Sequence, residues 1–255
     1  MPKLIGANDA HRFFYKRDDT FLTPKATTFF IVKTPLIYSS PRDAAAAEMY
    51  VRCVLDELTE YGYNAELAGL HYSVEYTAEG IALGVSGFND KQHVLLAKIV
   101  EKLKTIQLRE DRFAILKDQL LRDWKNARMN APYQHARYYM THMTQEVLWM
   151  RDEKIAALTP LTTADLQAHI PKLLQSVFIE GLVVGNMDSK EATGLLQSLE
   201  RTLNASSVAS NECRTMRTWL PPKGISFLIQ RTAETHQRDK APNWSTRSMS
   251  LTRTM

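Results

Sequence analysis

The sequence predicts an α+β fold, a two-layer sandwich in which a mostly antiparallel sheet carries helices on one face. Three observations predict it. Residues 70–85 alternate apolar and polar side chains on either side of a tight turn, the period of a β-hairpin with one buried face. Two further strand-like runs, 26–34 and 178–184, lie far apart in the chain. The helical patterns are collected between them and do not alternate one for one with strands. A chain of 255 residues, 44% apolar and 24% charged, is long enough to bury a core without disulfides or metals.

The elements follow in order. Residues 26–34, ATTFFIVKT, are β-branched and aromatic and stop at Pro35, as a strand does. Ser40 and Pro41 are an N-cap and a first helical residue. The helix they open carries Ala44, Ala47, Val51, Val54, Leu58 and Tyr61 at helical spacing and is expected to close at Gly62. In the hairpin, Leu70, Tyr72, Val74 and Tyr76 face inward, and Ala78-Glu79-Gly80 turns the chain, with Gly80 free to take positive φ. Ile81, Leu83 and Val85 resume the sheet. Asn89 and Asp90 are expected to cap a helix bearing Val94, Leu95, Ile99 and Leu103.

Residues 110–175 read as punctuated helices. Phe113, Leu116, Leu120, Leu121 and Trp124 form one stripe. Pro132 starts a helix with Tyr139, Met143 and Val147 on it, and Pro160 and Pro171 mark joints. After the apolar strand Phe178–Val184, Asp188 caps a last helix with Ala192, Leu195, Leu196, Leu199 and Leu203 inward. The polar stretch 204–211, NASSVASN, marks a boundary. Residues 1–206 are thus read as one domain, and 207–255 as a linker with the truncated start of another, largely without order. Within that second part, 224–230 could form one strand.

Several function classes are excluded at this level. The net charge of +4 is carried by the tail, since 207–255 hold 8 Lys and Arg against 3 Asp and Glu. The rest is near neutral, so a nucleic-acid surface is not expected. No apolar run approaches the length of about eighteen residues that a membrane helix needs, and no secretory leader opens the chain, so neither a membrane nor an export role is expected. Phosphate loops and nucleophile elbows are missing. The two cysteines, Cys53 and Cys213, have no metal-binding spacing, and Cys53 on an apolar helix reads as buried and inert. His135, His142 and Glu146 could share one helix face, but two turns separate the histidines by roughly 10 Å, so no metal is assigned to them. The charges of 107–130 read as a solvated helix face, with Asp118 and Arg122 an i,i+4 pair. Met140, Met143 and Met150, like Tyr138 and Tyr139, read as core filler.

Four segments together carry a resemblance: FFYKRDDTFLTPKA (13–26), YGYNAELAGLHYSVEYTAEGIALGVSGFNDKQ (61–92), PYQHARYYM (132–140) and IEGLVVGN (179–186). In this order and separation they resemble the insulin-degrading-enzyme (insulysin) branch of the pitrilysin-type zinc metallopeptidases. They are most similar to the third of its four homologous domains. The similarity runs over about 10–205, and LPPKGISFLIQRTAETH (220–236) still resembles the entry to the fourth domain before it stops.

The resemblance implies a clamshell endopeptidase whose two halves close around a peptide. In it, the zinc-binding H-x-x-E-H helix of the first domain occupies the place held here by residues 41–61. There this chain has Ala44–Ala47, Glu48, Met49 and Tyr50, with no histidine. The expectation is therefore no catalytic residue, no metal ligand and no cofactor in this chain, the zinc belonging to the family's catalytic domain; no substrate-binding residue is assigned. The partner implied is a catalytic half, with peptide bound only in the intact cytoplasmic enzyme. The alternative is a module that binds another protein or a second copy of itself through apolar surfaces that neighbouring domains normally cover.

Overall fold

The computed structural model describes residues 1–219, together with the backbone of residues 228–229 and 249–250. Six strands, β1 (Lys3–Ala7), β2 (His11–Arg17), β3 (Lys25–Lys33), β4 (Leu70–Tyr76), β5 (Gly80–Phe88) and β6 (Ser176–Gly185), lie in the order β1-β2-β6-β3-β5-β4. Every neighbouring pair is antiparallel except β2 with β6. The predicted α+β sandwich is the fold observed.

The strand β6, last in sequence, sits at the sheet centre between β2 and β3. Its Gly181 lies opposite Phe13 on one side and Phe30 on the other. A Cβ there would come within 2.5 Å of the Phe30 ring, so the missing side chain makes room for Phe13 and Phe30 to stack at 5.8 Å. The strands β1 and β2 were not foreseen. Lys3–Ala7 buries nothing, and His11–Arg17 fully buries only Phe13, so neither shows a sheet period.

The helix layer covers the face of Phe30, Val32, Leu83, Val85, Ile179 and Val183, all in one core. Its first member, α1 (Pro41–Leu67), starts as expected: the Ser40 hydroxyl accepts from the Asp43 N–H at 3.1 Å, and Pro41 needs no partner for the N–H it lacks. It runs past Gly62, however, to Leu67, and Gly69 at φ +73 follows its end. Gly62 is a contact residue inside the helix, because a Cβ there would stand 2.5 Å from the Tyr72 ring. Gly80 likewise departs from expectation. It is not among the positive-φ glycines, and a Cβ on it would meet the Val32 carbonyl at 2.4 Å, so close approach to β3 is what demands it.

In α2 (Gln92–Thr105), Asn89 and Asp90 form a 3-10 turn before the helix and do not cap it. The buried Gln92 side chain anchors the start, donating to the carbonyls of Ala26 (2.6 Å) and Gly87 (3.1 Å) and accepting from the Thr28 hydroxyl (2.9 Å). The inward stripe is Leu95, Leu96, Ile99, Val100 and Leu103. Val94, expected inside, is 43% exposed.

Next come α3 (Glu110–Asn126), α4 (Pro132–Thr144), α5 (Arg151–Leu158), α6 (Thr163–Leu173) and α7 (Ser189–Leu203). In α3, Phe113, Leu120 and Trp124 are buried, and the exposed Asp118–Arg122 pair closes to 3.0 Å. Pro171 does not break the chain but lies inside α6. Placed in the last turn it costs one hydrogen bond, while Ile170 and Leu173 on either side are buried. The helix α7 has the expected Asp188 cap, and Glu191 completes it as a box: Asp188 accepts from Glu191 N–H at 2.7 Å and Glu191 from Asp188 N–H at 2.8 Å, and its five apolar residues are buried.

Residues 204–219, compositionally a linker, return across the domain. Strand β7 (Ser206–Ser207) extends β6 in parallel, and Val208 and Cys213 cover Phe178. Met216 N–H donates to Glu79 at 2.7 Å. Of the strand expected over 224–230, Leu228–Ile229 is described, as β8, antiparallel to β9 (Met249–Ser250); the rest lies outside the described residues. Among the described residues no helix is long and apolar enough to cross a membrane.

Candidate functional site

The place to test for chemistry is the first half of α1, which the resemblance equates with a zinc-binding helix. Ala44, Ala45 and Ala47 are fully buried, as are Met49 and Tyr50. Small side chains are what the packing requires there, since α1 lies against the sheet and against α5 and α6. The Tyr50 phenol donates to the Leu103 carbonyl, and burial pushes its pKa up.

Glu48 is the one acid of residues 44–50, and it is already engaged. Its Oε2 accepts from Lys154 Nζ of α5 at 2.8 Å, and its Oε1 from Trp124 Nε1 of α3 at 3.3 Å. The Lys154 ammonium stands over the Trp124 ring at 4.5 Å and the Tyr76 ring at 5.9 Å. A cation thus sits beside the carboxylate, supplied by the protein itself. Four alanines, a thioether, a phenol spent on a carbonyl and an ion-paired carboxylate do not fit zinc, which takes four N, O or S donors. No group of three or more metal-ligating side chains occurs among the described residues.

Around this pair lies an aromatic and cationic cluster. Burial pushes the Tyr76 phenol up, with Tyr38 and Glu48 adding to the effect, and its Oη has no hydrogen-bond partner among the described residues. Tyr38 Oη accepts from Trp149 N–H at 3.0 Å, the Tyr38 carbonyl accepts from Trp149 Nε1 at 3.1 Å, and Arg214 covers the Tyr38 ring at 4.3 Å. These contacts hold residues 147–150 and 214 to the start of the helix layer. Composition offered no signal for them, because the partners are over a hundred residues apart.

On the opposite face of the sheet, Lys33 is nearly buried between Glu180 (2.8 Å) and Glu79 (3.2 Å). Burial works against the Lys33 ammonium, yet the two carboxylates more than offset it and hold its pKa above the usual lysine value. This pairing ties β3, β6 and the hairpin turn together under the returning segment 208–217.

The other candidates are dispersed. Helix α4 ends at Thr144, so Glu146 does not share its face with His135 and His142. The chain there straightens to bridge residue 218, which a helical reading could not show. His135 Nε2 contacts the Arg128 carbonyl at 3.1 Å, and His142 Nδ1 the Tyr138 carbonyl at 2.9 Å. Cys53 is buried, as expected, and its thiol is pushed up to about 12 by burial, with Asp56 and Glu57 adding, which keeps it protonated and unreactive. Met140 and Met150, read as core filler, are 40% and 37% exposed. Val94 lines a groove of about 970 Å³ between α2 and α7.

Comparison with known proteins agrees with this geometry. Residues 1–157 match the family model described as the middle or third domain of peptidase_M16. The chain is 38% identical over 92% of its length to insulin-degrading enzyme of Homo sapiens, covering 24% of that protein. It is 30% identical over 90% of its length to A-factor-processing enzyme of Saccharomyces cerevisiae, covering 22% of it. The chain therefore spans about a quarter of the length of the curated relatives it matches. Pitrilysin shares the fold, with a TM-score of 0.78 at 21% identity over 91% of this chain and 24% of that one. A peptidase M16 inactive domain from Pseudomonas fluorescens matches with a TM-score of 0.62 at 12% identity, over 82% of this chain and 52% of that one. These matches lead to one conclusion: the chain belongs to the M16 peptidase family and corresponds to its middle, or third, domain.

Proposed function

We propose that this chain is a non-catalytic part of an insulysin-like zinc metalloendopeptidase, walling the space that encloses the peptide while a catalytic half supplies zinc and proteolysis. The observation that carries the reading is the first half of α1. Where a catalytic domain needs ligands and a base to activate water, this helix packs Ala44–Ala47 into the core and joins Glu48 to Lys154. Converting it to a zinc site would require several imidazoles in a space filled at interior density.

The test has two arms. The purified chain is expected to retain zinc far below one equivalent and to leave a fluorogenic peptide uncleaved. About one tightly held zinc, with cleavage abolished by a chelator, overturns the reading. Mixed with a separately produced catalytic half, the chain is expected to raise peptide cleavage above that of the half alone; an unchanged rate counts against the partnership.

A further inference from the structure

The face of the sheet turned away from the helices is built in straight rows, because the strand registers align across it. Lys16 of β2 lies opposite Val184 of β6, Val184 opposite Thr27 of β3, Thr27 opposite Ser86 of β5, and Ser86 opposite His71 of β4. All five side chains share this face, since their chain neighbours Tyr15, Val183, Thr28, Val85 and Tyr72 turn toward the helix layer. Strands are spaced about 4.8 Å apart, so Lys16 and His71 stand about 19 Å from one another.

The middle of the row is low, a valine, a threonine and a serine. The aromatic rings of Phe29 and Phe88, both exposed, stand on either side of it. A cleft of about 560 Å³ follows the row, walled in part by Thr20, Phe21 and Thr23 of the β2–β3 loop. Among the described residues the Thr27 and Ser86 hydroxyls have no hydrogen-bond partner, so both can donate to a carbonyl laid over them.

Charge gives the cleft a preference. Lys16 and Arg17 line one end and Lys25 the middle strand; all three are exposed and none is ion-paired among the described residues. Lys25 instead stands over the Phe88 ring at 5.5 Å. The two acids of the wall serve their own loop. Asp18 Oδ1 accepts from the N–H groups of Thr20 and Phe21 at 3.0 Å each, and Asp19 Oδ1 from the Thr20 hydroxyl at 3.4 Å.

We propose that this cleft binds an extended acidic peptide segment of a partner protein. The segment lies across the strands, with carboxylates at Lys16, Arg17 and Lys25 and main-chain carbonyls at Thr27 and Ser86. Lys25 is two strands from Lys16, about 10 Å. An extended chain covers that in about three residues, so the segment carries an acid at about every third position. This site does not rest on the proteolytic role proposed above.

Fluorescence anisotropy on the full 255-residue chain tests it, with a labelled heptapeptide that has glutamate at every third position and valine and threonine between. The peptide should bind saturably, and its lysine-for-glutamate counterpart should not. Lys16→Glu and Lys25→Glu should each weaken binding about ten-fold, with the thermal midpoint unmoved. Lys190→Glu, the same change of net charge on α7, should leave it unaltered. Asp19→Asn should tighten binding several-fold, and this arm decides the matter if either reversal lowers the midpoint. Absence of saturable binding would overturn the proposal, as would equal binding of the lysine peptide. So would binding indifferent to Lys16→Glu and Lys25→Glu, which would assign the peptide to the basic residues of 207–255. Capture of phosphatidylserine vesicles that Lys16→Glu abolishes, with the peptide left unbound, would also overturn it, because a lipid surface would then be the partner.

Discussion

Helices α1 and α4 both open on a proline at the first helical turn, and both show apolar residues at helical spacing, yet they do opposite things. The first buries alanines, Met49, Tyr50 and Val54 almost all round and organises the layer. The second buries nothing. The difference teaches that spacing locates a helix, whereas side-chain size and what lies opposite decide how deep it sits. Alanines allow α1 to lie close against the sheet and two other helices at once. The rings and methionines of α4 hold neighbours off and stay half in solvent.

The largest effect should come from charging the deep helix. Ala47→Asp places an unpaired carboxylate at a site with no exposure and should cost about 4 kcal/mol or more, a large part of a domain's stability. Ala136→Asp on half-buried α4 should cost about 1 kcal/mol or less. Urea unfolding of both variants reads the contrast, and equal losses would erase it.

A smaller loss should follow from unpairing Glu48. Lys154→Met leaves that carboxylate, 20% exposed, without its cation, at an expected cost of about 1–3 kcal/mol. Adding Glu48→Gln to Lys154→Met should recover part of it, because the stranded charge is gone. A double variant no better than the sum of the singles would show that the pair does not couple α1 to α5.

Two helical glycines sharpen the comparison further, because they should differ in sign. Gly62→Ala drives a methyl toward the Tyr72 ring of β4 and should lower stability by about 1 kcal/mol even after the helix-propensity gain. Gly194→Ala in α7 meets nothing within 4 Å and should raise it by about 0.5–1 kcal/mol.

The smallest change should appear against pH. His169 of α6 lies 3.8 Å from Asp43 in the first turn of α1. Burial lowers its pKa, Lys172 and Arg42 add to this, and Asp43 opposes it. The folded state then binds the proton less readily than the unfolded chain, so stability from this residue is present above about pH 6.5. It is lost as pH falls below that toward the lower folded value. The urea midpoint should drop from pH 7 to pH 5, and His169→Asn should shrink the drop; an unaltered drop would assign it to other groups.

Much of this was legible in the sequence. The Ser40-Pro41 start, the hairpin over 70–85, the Asp188 cap and the stripe of α7 rest on local rules, and each holds. What escaped depends on distant partners. Gly62 and Gly80 resemble a stop and a turn until Tyr72 and Val32 are seen beside them. Asn89 and Asp90 resemble a cap until Gln92, held by Ala26 and Gly87, is seen to begin the helix. Glu146 resembles a helix-face ligand until residue 218 draws the chain straight.

By itself the sequence determined where most of the helices and the central strands lie, which of their faces are apolar, and that α1 contains no histidine. Those properties follow from side-chain chemistry and from spacing within about a dozen residues. Only the tertiary structure decided that β6 lies at the sheet centre, that Glu48 is neutralised by Lys154, and that 206–219 return across the domain to meet residues 144–146. Each of these joins residues that are neighbours in space alone. Burial, hydrogen bonding and ion pairing act over a few ångströms of space, whatever the number of residues between the partners.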